Sequence, residues 1–537
     1  MRRNDGASAY QLAVAVDDTA QGIGEVVRGA DLVGSTTRHI LLYRLAGLRF
    51  PRYAHVPLVL GPDGRRLATR HGAVTLADRA AVGGGPRETL CWMARSLGLA
   101  EPGETPATFS PAWAPEGCLG GRPFGRPKPE RHVVSWGGPV NGRGDPMRAT
   151  RKLDGLQSET ERGFGEKISA LRRDIHREPE LGFDTGKTAS KVLAALEGLP
   201  LDIESGVAKN GIVATLRGAG GGGPTVGLRA DMDALPITEE TNLPFASEVE
   251  GKMHACGHDG HTSMLVGAAH ALCSMREELN GAVRFIFQPA EEGGGGGQVM
   301  VEEGVADGLD SIFALHLWPG LPFGTAATKA GPIMAAADAF EMEIWGTGGH
   351  GAMPHLSADA VVISAHIVTA LQTVVSREVD PVEPAVLTVG EIGAGTAFNV
   401  IPEKARIGGT VRTLNEGLRR QMPGRIEALA RGVACGMRGD ATFDYRFSYP
   451  VTRNDAEAAD RALKTAGALL GEGSILELPN PSMGAEDFAY FLEKVPGAFV
   501  WLGVGEDVPG LHTPQFAFGE KILSRGSALL AALALSS

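Results

Sequence analysis

The apolar run Ala282-Val283-Arg284-Phe285-Ile286-Phe287 ends on Gln288-Pro289-Ala290 and then on two adjacent carboxylates, Glu291 and Glu292, followed by glycines to Gly297. A short, nearly continuous apolar run of this kind reads as a buried strand. Ending it on paired charge and flexible backbone constrains the fold, because a covered sheet must open at that strand end. For an isolated Glu-Glu pair a solvated turn is the ordinary outcome. Here three further segments carry metal-ligand residue types: 253–261 with Cys256 and His258, 313–319 with His316, and 511–514 with His512. One carboxylate to bind metal and another to move a proton is what metal-assisted hydrolysis requires.

A chain of 537 residues is expected to hold more than one domain, and 43% apolar with 21% charged residues describes a soluble protein with a large core. The net charge of −12 weighs against nonspecific nucleic-acid binding. The five cysteines, Cys91, Cys118, Cys256, Cys273 and Cys435, are odd in number and widely spaced, which fits a reducing compartment better than a disulfide framework. There is no signal-peptide pattern and no uninterrupted 18-residue apolar span. A cytoplasmic enzyme with no membrane attachment is therefore expected.

Residues 1–114 differ in character from the rest. Residues 9–18 read as a strand ending in acidic residues, 26–32 as a second strand and turn, and Ser35 as the N-cap of an amphipathic helix to about Leu45. Residues 61–72 form a turn and a basic loop. From 115 to 155 the composition shifts to Pro, Gly and Arg without apolar period, as in a linker.

The second unit begins near Leu156. Ile168, Leu171 and Ile175 recur at helical spacing up to the stop at Pro179. A helix over 188–196, strands over 211–216 and 225–228, a helix over 258–272 and the strand before Gln288 then alternate, which argues for an α/β sheet with its site at the strand ends. Between 332 and 449 the pattern changes. Residues 339–345 alternate as a half-exposed strand, a helix spans 359–376, and strands follow at 385–390 and 405–412. This strand–helix–strand–strand order suggests a small inserted α+β domain. The main fold resumes over 450–537, with a strand at 498–503 and a helix near 522–535. Cys273 and Cys435 read as buried apolar positions.

Cys256 and His258, two residues apart where a loop enters a helix, can reach one metal or span two. Sulfur, nitrogen and carboxylate donors suit Zn, Mn, Co or Ni better than Ca or Mg. The second unit resembles the metal-dependent aminoacylase and carboxypeptidase family, in its amidohydrolase branch of hippurate hydrolases, N-acetyl-amino-acid deacetylases and indole-acetyl-amino-acid hydrolases. The resemblance is carried by Arg173-Asp174-Ile175-His176, Arg229-Ala230-Asp231-Met232-Asp233, His254-Ala255-Cys256-Gly257-His258-Asp259-Gly260-His261, Gln288-Pro289-Ala290-Glu291-Glu292, Gly348-Gly349-His350, Phe398-Asn399-Val400 and Gly484-Ala485-Glu486-Asp487-Phe488.

The resemblance implies a zinc-peptidase-like α/β catalytic domain, 156–331 with 450–537, and an inserted α+β dimerisation (lid) domain, 332–449. It implies that Cys256, His258, Glu292, His316 and His512 hold two divalent ions, with Glu291 as general base to the hydrolytic water. The substrate implied is an N-acyl amino acid of hippurate type, and the assembly a homodimer. His350 would reach the partner subunit's site and bind the oxyanion; Asn399 and Arg412 would hold the substrate carboxylate. Asp231 and Asp233 would orient ligands without binding metal themselves. His254, His261 and His355 fit the pattern but read as structural.

The N-terminal segment resembles, over residues 10–14, 28–32 and 66–72, the C-terminal half of a glutamyl-tRNA-synthetase-like catalytic domain, closest to the short paralogue that glutamylates queuosine on an aspartate tRNA. In that family the loop carries a Lys-Leu-Ser-Lys-Arg motif; here Arg66, Ala68 and Thr69 stand for the first Lys, the Ser and the second Lys. No His-Ile-Gly-His-like ATP motif precedes it, so a truncated segment without glutamyl-transfer activity is expected.

Overall fold

The computed structural model describes residues 25–29, 52–56 and 155–536. The chain divides into two compact units, Met1–Gly137 and Gly138–Ser537. In the first, β1 (Glu25–Gly29) pairs in parallel with β2 (Arg52–Val56). The expected strand at 9–18, the helix from Ser35, the loop at 61–72 and the linker at 115–151 lie outside the described residues.

The second unit opens with α1 (Leu156–Arg177), which ends before Pro179, and α2 (Gly186–Leu196). There follow β3 (Asp202–Val207), β4 (Gly211–Arg217), β5 (Thr225–Asp231), α3 (His258–Ser274), β6 (Ala282–Gln288), α4 (Gly296–Glu302), β7 (Ser311–Pro319), β8 (Ala326–Thr328) and β9 (Gly331–Met334). After an inserted domain come β16 (Thr452–Asn454), α7 (Ala456–Leu470), β17 (Ile475–Glu477), α8 (Ala489–Leu492), β18 (Gly497–Gly505) and α9 (Lys521–Leu535). Eight strands make one sheet in the order β17-β8-β18-β7-β5-β6-β4-β3, parallel across β18, β7, β5 and β6. These central strands are apolar without alternation because both faces are covered. On β6, Phe285 and Phe287 join the core beneath α1, α3 and α9, whereas Ile286 between them joins the opposite core with Met300 and Phe488. Each fully buried side chain of this size contributes about 1.5–3 kcal/mol. Helix α3 is buried nearly all round between α1 and α9, and Gly267 and Gly526 permit the approach, since a Cβ at either would collide with Ser527 or Met264. The glycine run after Glu292, read from the sequence as flexible backbone, starts α4 at Gly296.

The inserted domain contains β10 (Ala336–Trp345), β11 (Gly349–His350), α5 (Ala360–Thr373), β12 (Ala385–Ala394), β13 (Val400–Ile401), β14 (Lys404–Thr413), α6 (Glu416–Gly436) and β15 (Asp440–Phe447). Its four-stranded antiparallel sheet runs β12-β14-β10-β15, and α5 and α6 cover the apolar face of Phe340, Met342 and Ile344. Strand β10 alternates in burial as its sequence alternates in polarity. Helix α6 and strand β15 are additions to the order read from sequence. Pro423 and four glycines mask the helix, yet Asn415 caps it by accepting from the Gly417 and Leu418 amides. Leu418, Met422, Ile426, Ala430 and Ala434 form its buried stripe at i, i+4 spacing. Cys435 falls one residue off that stripe and is exposed, and Cys273 is half-buried, so neither is the buried position expected. The segment Ala360–Glu378 is long and apolar enough to cross a membrane, but Ile363, Ile367 and Leu371 pack into the inserted core.

Candidate metal centre and active site

Parallel β5, β6 and β7 all end on the same side of the sheet, and there they present Asp231, the Gln288–Glu292 segment and His316. The N-terminus of α3 brings Cys256 and His258 to the same edge. Helix α1 fixes that N-terminus: Arg172 Nε lies 2.6 Å and His176 Nδ1 2.8 Å from Asp259 Oδ2, all buried. The residue that pairs is Arg172, adjacent to the motif residues Arg173-Asp174. Two backbone conformations at this edge lie in the left-handed region without glycine, Ala290 at φ 58° and His512 at φ 61°. Such conformations cost about 1–3 kcal/mol each and gather at functional sites. The amide of His512 donates to Ala255 O at 2.9 Å, which ties its loop to Cys256.

Among the described residues five sets place ligand atoms within 4.8 Å of one another: Cys256, His258 and His316; Cys256, Glu292 and His512; His258, Glu291 and Glu292; Asp231, His258 and His261; and Glu291, Glu486 and Asp487. Cys256 Sγ is 3.4 Å from His316 Nε2, and Glu292 Oε1 is 3.3 Å from His512 Nε2. His258 donates Nδ1–H to the Asp233 carbonyl at 2.8 Å, and His316 donates Nδ1–H to the Leu317 carbonyl at 2.8 Å. Each ring thereby turns its Nε2 toward the other candidate ligands, and His258 Nε2 is buried without a hydrogen-bond partner. Anchoring one nitrogen so that the other can ligate is the usual arrangement around a bound metal. The donor set therefore fits divalent ions of the Zn, Mn, Co or Ni type.

The charges say the same. Burial pushes the Cys256 thiol well up, and Glu292 and Glu291 push it further. Burial lowers the His258 imidazole, but Asp231, Asp233 and Glu292 more than offset this and raise it to about 10. Glu291 is held well above the carboxylate range by burial and by Glu486, Glu292 and Asp487. So much negative charge in a buried place calls for cations.

Asp233 accepts from the Glu291 amide at 2.9 Å and the Glu292 amide at 3.1 Å, so its carboxylate aligns both glutamates while its carbonyl aligns His258. Asp231 accepts from His261 Nδ1 at 2.6 Å, and His261 Nε2 in turn accepts from the Leu317 amide at 2.9 Å. Both nitrogens of His261 are thus used structurally. His254 is buried, with neither ring nitrogen partnered, and burial lowers it to about 3. His355 is exposed on the inserted domain.

A cavity of about 640 Å³ lies over these groups. Cys256, Glu291, Glu292, His316 and His512 form its polar floor; Trp318, Met334, Met483 and Leu511 line it with apolar surface, and Arg412 enters from the inserted domain. His350 and Asn399 do not line this cavity. They sit together on an exposed ribbon, where His350 pairs with Val400 and the Gly351 amide donates to Asn399 O at 2.8 Å.

Several residues that matter here carried no readable role in the sequence. Arg229 donates to Gln288 Oε1 at 2.9 Å, Asp231 Oδ2 at 2.7 Å and Asp487 Oδ1 at 2.8 Å, and lies 3.0 Å from Glu486 Oε1. Tyr449 reaches the backbone after Glu291, and Trp318 stacks on Trp501 at 3.8 Å. The motifs containing Arg229 and Glu486 were visible; their convergence depends on a separation of 258 residues between Arg229 and Asp487.

Comparison with known proteins gives a consistent picture. Residues 227–536 match the model of peptidase family M20/M25/M40, and residues 1–107 that of the class I tRNA synthetase (E and Q) catalytic domain. An N-acetylcysteine deacetylase of Bacillus subtilis is 41% identical over 376 residues, 70% of this chain and 98% of its own length. An N-acetyldiaminopimelate deacetylase of Halalkalibacterium halodurans is 44% identical, over 66% of this chain and 95% of its own. A solved Bacillus subtilis protein, described as a dinuclear metal-binding peptidase of the M20 family, superposes with a TM-score of 0.61 at 38% identity, over 70% of this chain and 98% of that one.

Proposed function

The chain belongs to peptidase family M20/M25/M40 and is a metal-dependent amide hydrolase, and from that premise we propose that it cleaves N-acyl amino acids, hippurate-like ones among them, with Glu291 as general base. The observation that carries this is the convergence of Cys256, Glu292, His316 and His512 beside a buried Glu291 on the floor of one cavity, with the buried His258 in ligand range of Cys256, His316 and Glu292. Those five residues would hold two divalent ions, which when bound acidify water and polarise a carbonyl. Glu291 takes the proton of the attacking water and returns it to the departing nitrogen. Arg412, the one guanidinium lining the cavity, holds the carboxylate of the amino-acid part, while Trp318, Met334, Met483 and Leu511 receive the acyl part. We take 156–331 with 450–537 as the catalytic unit and 332–449 as its lid. The free Cys256, Cys273 and Cys435 fit the cytoplasm.

Chelated protein is expected to release no amino acid from hippurate or N-acetyl amino acids, and to regain turnover when Zn, Mn, Co or Ni is restored to two ions per chain. Full turnover by protein shown to be metal-free would end this reading.

The exposed ribbon bearing His350 and Asn399 favours a homodimer in which His350 of the partner subunit completes the site. Met353, Leu356, Phe398 and Val400 expose apolar surface around it, and β12 is an unpaired edge. His350→Ala and Glu291→Gln should each be nearly inactive alone. Co-expressed one to one, they should regain up to about a quarter of wild-type activity, the share of sites that pair an intact Glu291 with an intact partner. No recovery would put His350 in its own subunit's site or outside catalysis.

A further inference from the structure

The base Glu291 is held from two sides. In front, its amide donates to Asp233, two residues past the end of β5, at 2.9 Å. Behind, its carbonyl accepts from the Tyr449 hydroxyl. The same hydroxyl accepts from the Gly293 amide at 3.0 Å and the Gly295 amide at 3.3 Å. One donated and two accepted hydrogen bonds use its full capacity, leaving none for a substrate although the ring borders the cavity. The backbone it grips is held besides by the Gly293 amide on Glu291 O at 2.7 Å, the Gly296 amide on Ala290 O at 3.0 Å and the Gly297 amide on Asp487 Oδ2 at 2.7 Å. Gly293 through Gly297 carry no side chains to pack, and glycine backbone has the most freedom to lose. Ala290, immediately before, is kept in the left-handed region and would relax if released.

Tyr449 stands at the junction of the two domains. Its carbonyl accepts from the Ala337 amide at 2.9 Å, joining the strands that enter and leave the inserted domain. Its neighbour's carbonyl, Ser448 O, accepts from the Tyr490 hydroxyl at 3.0 Å, and the two tyrosine rings meet edge to face at 6.2 Å. The grip on Glu291 is therefore exerted from the segment about which the inserted domain would turn.

Resting on the amidohydrolase reading above, we propose that Tyr449 is a positioning residue: its hydroxyl sets the backbone of Glu291 and the glycines after it, and so aligns the base with the water it deprotonates. The test is Tyr449→Phe, which keeps the ring and removes only the hydroxyl. A general base displaced by about 1 Å loses on the order of a hundredfold in rate. The variant is expected to lose ten- to a hundredfold in kcat, with KM within about threefold of wild type and two metals still bound. Hydrogen exchange across 289–299 should accelerate, by at least about tenfold at Gly295, whose amide loses its acceptor, and by less at Gly293, whose amide keeps Glu291 O. Wild-type kcat together with wild-type exchange would overturn the proposal. So would a loss of rate matched by lost metal or by raised KM, which would make the hydroxyl a support of the metal site or a substrate contact. If the wild-type enzyme cleaves no N-acyl amino acid, it is the substrate reading that fails, and unchanged exchange alone still refutes the role given to Tyr449.

Discussion

Glu291→Gln is expected to lower kcat by about 10²–10⁴, the usual contribution of a positioned general base, while the protein keeps its metals. That is about 2.7–5.4 kcal/mol on the barrier at 1.36 kcal/mol per decade. Gln has the shape of Glu and leaves the amide bond to Asp233 in place, but it cannot accept a proton. The metals should stay because the proposed ligand role falls to Glu292, whose Oε1 faces two rings, His512 Nε2 at 3.3 Å and His258 Nε2 at 3.9 Å, whereas Glu291 Oε2 faces His258 Nε2 at 4.0 Å. Glu291 is also the carboxyl that burial, Glu486 and Glu292 hold high, a place suited to keeping a proton until the leaving nitrogen takes it. Metal analysis beside steady-state kinetics decides the matter: an active variant, or one stripped of metal, would reverse the division of labour between the two glutamates. Glu292→Gln is the mirror experiment, and there the metal should go.

The apolar run before Gln288 was enough to predict a covered strand, and the strand–helix alternation around it the α/β sheet, because burial on both faces leaves a plain pattern. Cys256, His258, Glu291 and Glu292 were legible because ligand residue types clustered next to strand and helix ends. What stayed hidden has physical reasons. Helix α6 carries Pro423 inside it, so local preference argued against a helix that its buried stripe and the Asn415 cap make stable. Cys435 was read as buried from residue type alone, although one step of the helical period turns it outward. The use of Asp233 through its carbonyl as well as its carboxylate has no sequence signature, since the backbone group is the same in every residue. Tyr449 and Arg229 act across separations of 158 and 258 residues, and nothing in local pattern reports such contacts.

Arg229 has the largest expected effect on stability. It is 1% exposed, and around it stand Asp231, Glu486 and Asp487, each 2% exposed or less at the side chain. Burial raises Glu486 to about 8 even with Arg229 opposing it. Replacing Arg229 by Leu would remove the guanidinium these three carboxylates share, and breaking such a buried arrangement from one side costs about 3–5 kcal/mol. Lys would restore the charge but not the planar fork that reaches Gln288, Asp231 and Asp487 at once, so Arg229→Lys should fall between Leu and wild type. Urea unfolding midpoints rank the three, and a Leu variant as stable as wild type would show that the carboxylates are neutral in the fold. Added metal separates the two sources of positive charge. Ions that Cys256, His258 and Glu292 would hold are expected to bind only the folded chain and to stabilise it by RT ln(1 + [L]/Kd), about 2.7 kcal/mol at a hundred times Kd. They should therefore recover part of what Arg229→Leu loses. The remainder should persist, because Asp487 also anchors Gln288 and the Gly297 amide, on the side of the base turned toward the start of α4 rather than toward the ligand set.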